Sequence, residues 1–147
     1  MRNTIIWLTT LGLLALALLV GCGGDDSDNG DTLAIIGTYN DGFSDHAVAE
    51  TTWTMSSDGM ADSVFHIASY SNTEQFLVAE NDAANEYNPG LWSRFDWAYV
   101  GADLYLCQPA YDAASQAAAA AASGADRLDI TGTGCGGFPW SKLTPKS

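Results

Sequence analysis

Two histidines, three cysteines and a large excess of carboxylates carry most of the chemistry open to this chain. His46 and His66 are its only side chains able to act as neutral bases near pH 7. Neither stands in a Ser or Cys nucleophile motif, and the chain contains no G-x-S-x-G, H-E-x-x-H or Walker pattern. Acidic residues number 18 against 5 basic ones, so carboxylate pairs arise by chance and give little support to a glycan-cleaving acid and base. Trp53, His66, Arg94 and Trp97 are the candidates for touching a ligand, through aromatic stacking or a polar contact. Each also has a plainer role: core packing for the tryptophans, a hydrogen-bonded core or rim position for His66, and a surface ion pair with Asp96 for Arg94. No catalytic residue, cofactor or metal is expected. Asp25, Ser27, Asn29 and Gly30 follow the opening of an EF-hand loop, but Ile36 stands where the bidentate Glu is required.

The third cysteine, Cys22, is set by what precedes it. Met1 and Arg2 give a positive start, Ile5 to Val20 carries no charge, and Gly21, Cys22, Gly23 and Gly24 lead into Asp25 and Asp26 without a positive stop-transfer flank. The uncharged stretch has the length of an export signal and falls short of the roughly 20 residues of a membrane span. Leu19, Val20, Gly21 and Cys22 resemble the lipobox of bacterial lipoproteins. That resemblance implies acylation of Cys22 and cleavage before it, which would divide the chain into a signal (1–21), a lipidated tether (22–31) and a domain (32–147). Each buried acyl methylene contributes about 0.8 kcal/mol, so two or more chains hold a protein durably. In that family an Asp directly after the cysteine retains the protein at the inner membrane. Gly23 occupies this position, which implies an outer-membrane lipoprotein facing the periplasm or the surface.

Charge narrows the partners. The formal net charge is −13, and loss of Arg2 with the signal makes the remainder more negative. Such a surface repels phosphate backbones and anionic head groups, which excludes nucleic acid and leaves the acyl chains as the link to the membrane. In a chain that leaves the cytosol, Cys107 and Cys135 form an even pair and are expected to make a disulfide worth roughly 3–4 kcal/mol. Free thiols or a metal site are the alternatives, and no Cys or His spacing supports the metal.

The domain that must position these groups reads as mainly β. After the Gly, Asp, Ser and Asn tether, short runs rich in β-branched and aromatic residues alternate with turn residues. Strands are expected over Leu33 to Tyr39, His46 to Met55, Val64 to Ile67, Gln75 to Glu80, Leu91 to Val100 and Leu104 to Cys107. The second run would place Ala47, Ala49, Thr51, Trp53 and Met55 on one face. These about six strands form a single antiparallel meander, as a bent sheet or a small barrel. The alanine run Ala113 to Ala122, between Pro109 and Gly124, predicts one helix of about three turns with Asp112 at its start. Gly134 to Trp140 should turn tightly and lay Phe138 and Trp140 back on the core.

The C-terminal half resembles a group of uncharacterised small lipoproteins of Gram-negative bacteria. The resemblance lies in Trp92 to Trp97, Leu104, Tyr105, Cys107, Gln108 and Gly134 to Trp140, and it implies no activity. A looser likeness is to lipocalin-type barrels, from whose early Gly-x-Trp this chain departs by carrying Tyr39 after Gly37, and whose eight strands compare with the six expected here. The expected function is therefore a non-enzymatic envelope lipoprotein whose β domain binds a protein, a glycan or a small ligand. A lipocalin-like carrier of an apolar molecule is the first alternative, and a glycan-active enzyme the second.

Overall fold

The computed structural model describes residues 31–147; the expected export signal, Cys22 and the expected tether up to residue 30 lie outside the described residues. Eight antiparallel strands follow one another round a closed barrel: β1 (Gly37–Asn40), β2 (Ser44–Val48), β3 (Thr52–Ser57), β4 (Ser63–Ser71), β5 (Phe76–Asn81), β6 (Trp92–Val100), β7 (Asp103–Ala113) and β8 (Ser141–Pro145). A short helix, α1 (Gln116–Ala120), lies between β7 and β8. β8 closes the barrel by pairing on one side with β7, Leu143 opposite Leu104, and on the other with β1, Pro145 opposite Tyr39. Closure gives every strand a neighbour on both sides, where an open meander would leave two edge strands.

The β class and the antiparallel meander match the sequence expectation, and the barrel has two strands more. His46 to Met55 is a hairpin, because the Ala49 N–H donates to the Thr52 carbonyl (2.8 Å) and reverses the chain with no Gly, Asn or Pro to mark the turn. The second extra strand, β8, follows the Cys135 turn. Its partners are distant in sequence, so local pattern carries no trace of it.

Alternation along the strands decides the interior. Trp53, Phe65, Leu77, Phe95, Trp97 and Leu143 are buried at its centre. Trp53 stacks on Phe95 at 4.8 Å between ring centroids, and Phe65 meets Phe95 edge-on at 5.0 Å. Each such side chain contributes roughly 1.5–3 kcal/mol through burial.

One end of this barrel is plugged. Leu33 and Ile35, expected at the start of a strand, instead precede β1 and sink into the core. Asn72, in the turn between β4 and β5, holds them there by accepting from the Ala34 N–H (2.9 Å) and donating to the Thr32 carbonyl (3.0 Å). The Tyr70 hydroxyl donates to the Asp31 carbonyl (2.7 Å), and that of Tyr39 to the Ile35 carbonyl (3.1 Å).

The connection from β7 to β8 forms an outer layer. The helix in it has five residues, since β7 continues through Pro109 to Ala113 and takes the first alanine of the run. Ser115 rather than Asp112 is the N-cap, its hydroxyl accepting from the Ala118 N–H (3.1 Å). The layer is fixed by the disulfide between Cys107 and Cys135 and by a satellite core of Ala98, Cys107 and Trp140. Phe138, expected to pack beside Trp140, is exposed.

Arg94 and Asp96 also belong to this layer, and they are not the surface pair that the sequence suggested. They share the outer face of β6, and the connection covers them: Arg94 Nε donates to Asp96 at 2.7 Å, and the Asp96 side chain is fully buried. Arg94 Nη1 donates to the carbonyls of Ala120 (2.8 Å) and Ala122 (3.0 Å), closing the end of α1. Its guanidinium lies over the Phe76 ring, 4.2 Å from the centroid. A Cβ on Gly124 would stand 3.0 Å from Asp96 and 3.1 Å from Arg94, so a side chain there would crowd the pair.

Candidate functional site

The chain direction of the strands puts the turns 41–43, 58–62 and 82–91, with the end of β7, at the barrel end opposite the plug. Interior positions become polar toward this mouth. Above the aromatic centre, β5 presents Asn81 and β6 presents Ser93, both buried, where the same faces carry Leu77 and Phe95 lower down. The Ser93 hydroxyl donates to Asn81 Oδ1 (2.6 Å), and Gln108 Nε2 donates to Ser93 (3.1 Å). Asn81 Nδ2 donates to the carbonyls of Asn88 (2.9 Å) and Tyr111 (3.0 Å), tying the long loop to β7. Asn85 continues β4 by exchanging two hydrogen bonds with the Val64 backbone, both 2.8 Å. With both amides satisfied, the 82–91 loop is held at the mouth by the polar layer beneath it.

A cavity of about 260 Å³ opens above this layer, lined by Met55, Phe65, Asn85, Tyr87, Gln108 and Tyr111 among others. A second space of about 150 Å³ shares Met55, Ser63 and Tyr87 with it and extends toward Ser44, Met60 and Glu86. The lining mixes the apolar side chains of Met55 and Phe65 with amides and hydroxyls, and Tyr87 lines both spaces. Such a mixture fixes a ligand by shape and a few hydrogen bonds.

Beside the mouth, His46 is buried between Trp53 and Asp41. Trp53 Nε1 donates to His46 Nδ1 (3.2 Å), which places the ring proton on Nε2. That nitrogen lies 3.3 Å from Asp41 Oδ2, within ion-pair distance yet outside hydrogen-bond geometry. Burial raises the Asp41 pKa, but the Ser44 and Phe43 N–H groups and His46 outweigh it and leave the carboxyl below its ordinary value of 3.8. The Ala84 N–H and His66 lower Asp82 in the same way, and the N–H and hydroxyl of Thr133 lower Asp129. A carboxyl with a depressed folded-state pKa adds stability above its unfolded pKa and loses it as pH falls through the folded value. The urea midpoint should therefore hold near neutral pH and drop steadily below about pH 4, as measured by unfolding at a series of pH values.

The four sequence candidates do not come together. Trp53 and Trp97 are buried in the barrel centre, Arg94 lies beneath the outer layer, and His66 sits on the outside with its Nε2 2.7 Å from Asp82. His66 is thus an exposed rim residue with one partner. None of the four lines the mouth cavity. The residues that do line it include Asn85, Tyr87, Gln108 and Tyr111, none of which the sequence singled out as a site. An inward polar residue in an otherwise apolar alternation, as at Asn81 after Leu77 and Ala79, is the signal that could have found the layer below them. Among the described residues, no three His, Cys, Asp or Glu side chains gather closely enough to hold a metal ion. Comparison of the chain with protein-family models, with curated proteins and with solved structures returned no match.

Proposed function

We propose that the chain is a lipid-anchored protein of the bacterial envelope, placed at the outer membrane through Cys22, whose barrel is a non-enzymatic binding module using its open mouth. The observation that carries this is the opposition of the two ends. Asp31, where the tether would join the domain, is held by Tyr70 at the plugged end, and the cavity opens at the other. A tether leaving the plugged end lets the mouth face away from the bilayer. The barrel itself is poorly built to span lipid: β1, β2 and β3 have 4, 5 and 6 residues, against about 9–11 for a spanning strand, and outward positions carry Asp45, Thr52 and Thr54.

The carrier alternative draws support from the apolar Met55 and Phe65 in the cavity lining. The binding module is favoured because Trp53, Phe95 and Trp97 fill the centre that a lipocalin leaves open for its ligand. Substitution Cys22→Ser tests the anchor. The mature wild-type protein is expected in the membrane fraction, extractable only with detergent, and the variant in the soluble envelope fraction. Equal retention of both in the membrane would refute a lipid anchor at this sulfur.

A further inference from the structure

The mouth is ringed by exposed apolar side chains on separate turns. Phe43 between β1 and β2 is 90% exposed, Met60 between β3 and β4 60%, Tyr87 in the 82–91 loop 67% and Tyr111 near the end of β7 55%. Single exposed apolar residues are ordinary, whereas four on the tips around one cavity form a surface that awaits cover. The ring is also acidic throughout. Its turns and strand end hold Asp41, Asp58, Asp62, Asp82, Glu86 and Asp112, with no Lys or Arg.

The basic residues of the described chain do not offset this charge. Arg94 is committed to Asp96 and to the carbonyls of Ala120 and Ala122, Arg127 to the barrel carbonyls of Glu74, Gln75 and Trp97, Lys142 pairs with Asp103 and Lys146 with Asp45. We infer, resting on the mouth as the binding face, that its occupant is a cationic, partly apolar peptide segment of another envelope protein. Phe43, Met60 and Tyr87 pack on its apolar side chains, and the alkyl stem of one Lys or Arg enters the cavity beside Tyr87. Aromatic faces attract such cations, and long basic side chains bury their methylenes while the head stays near carboxylates. The cavity of about 260 Å³ lies just below the roughly 300–1,000 Å³ of small-molecule sites, which suits one inserted side chain. An anionic lipid surface would be repelled by the same carboxylates.

The test titrates full-length, 15N-labelled protein in neutral detergent with three probes: a nine-residue Lys-Leu-Gly repeat peptide, its Glu-Leu-Gly counterpart and chitotriose. The Lys peptide is expected to bind alone and to shift the resonances of Met60 and Tyr87. Its affinity should fall about tenfold in Tyr87→Ser, and by a similar factor in the joint variant Asp58→Asn, Asp62→Asn, Glu86→Gln, which also flattens the salt dependence. Glu74→Gln, at the plugged end, should bind as the wild type does. Equal binding of the Glu peptide, shifts confined to residues away from the mouth, or no effect of the mouth variants would overturn the inference. A mouth that responds to chitotriose alone would overturn the cationic partner and keep the binding face. A mouth silent to all three would count against both.

Discussion

Replacing Arg94 by Met is expected to lower the unfolding free energy by about 3–5 kcal/mol. An exposed pair at this spacing would contribute about 0–1 kcal/mol, so burial decides the magnitude. The Asp96 side chain is fully buried, and the substitution removes the guanidinium donating to it at 2.7 Å. The Ala125 N–H remains at 2.7 Å, and Arg127 lies 4.0 Å away, too far to replace the lost bond. The carbonyls of Ala120 and Ala122 would lose their donor in the same step. Removing both charges, as Arg94→Met with Asp96→Leu, should be markedly less damaging than the single change, because no unpaired buried charge is left. Urea unfolding of the wild type, the two single variants and the double variant measures this. Additive losses would mean that the pair is not coupled.

Loss of the Cys107 to Cys135 bridge is the second large effect. The cysteines are 28 residues apart, and freeing a loop of that size costs about 3.5 kcal/mol on the chain-entropy model. The bridge joins β7 to the start of the turn before β8, and β8 is the strand that closes the barrel. A Cys107→Ala, Cys135→Ala variant should therefore unfold at a temperature lower by about 10–15 °C in calorimetry. Reduction of the wild type should reproduce the shift, and reduction of the variant should change nothing. Since Cys107 packs with Ala98 and Trp140, a small cavity loss adds to the entropic one.

The relation of the two cysteines was legible because it rests on parity and on the expected export of the chain, both of which are read from sequence without geometry. The partnership of Arg94 and Asp96 was legible from their spacing, since residues two apart share a face of a strand. Its burial was not, because the covering segment is folded back from residues 114–140, most of them alanine, glycine and polar residues with no apolar stripe to announce a buried face. The helix shows the same limit. Alanine propensity favours a longer helix, and pairing of β7 with β6 as far as Ala113 opposite Trp92 takes the first alanine into the sheet. The mouth was the least legible part. Tyr87 and Met60 are unremarkable loop residues until barrel closure sets their turns side by side.

By itself the sequence determined the strand-rich antiparallel class, the acidic balance and the pairing of the two later cysteines. These follow from period, composition and parity, which act over short range or need no geometry at all. The single face expected for Ala47 to Met55 was broken by the hairpin, which turns Ala47 outward opposite Thr54 and leaves Trp53 and Met55 inward. Only the tertiary structure decided that the strands number eight and close, that the Leu33 and Ile35 end is plugged while the other stays open, and that the apolar tips converge there. Pairing of β1 with β8 joins segments from opposite ends of the domain, and such contacts are chosen by the packing of the whole core rather than by any local stretch of residues.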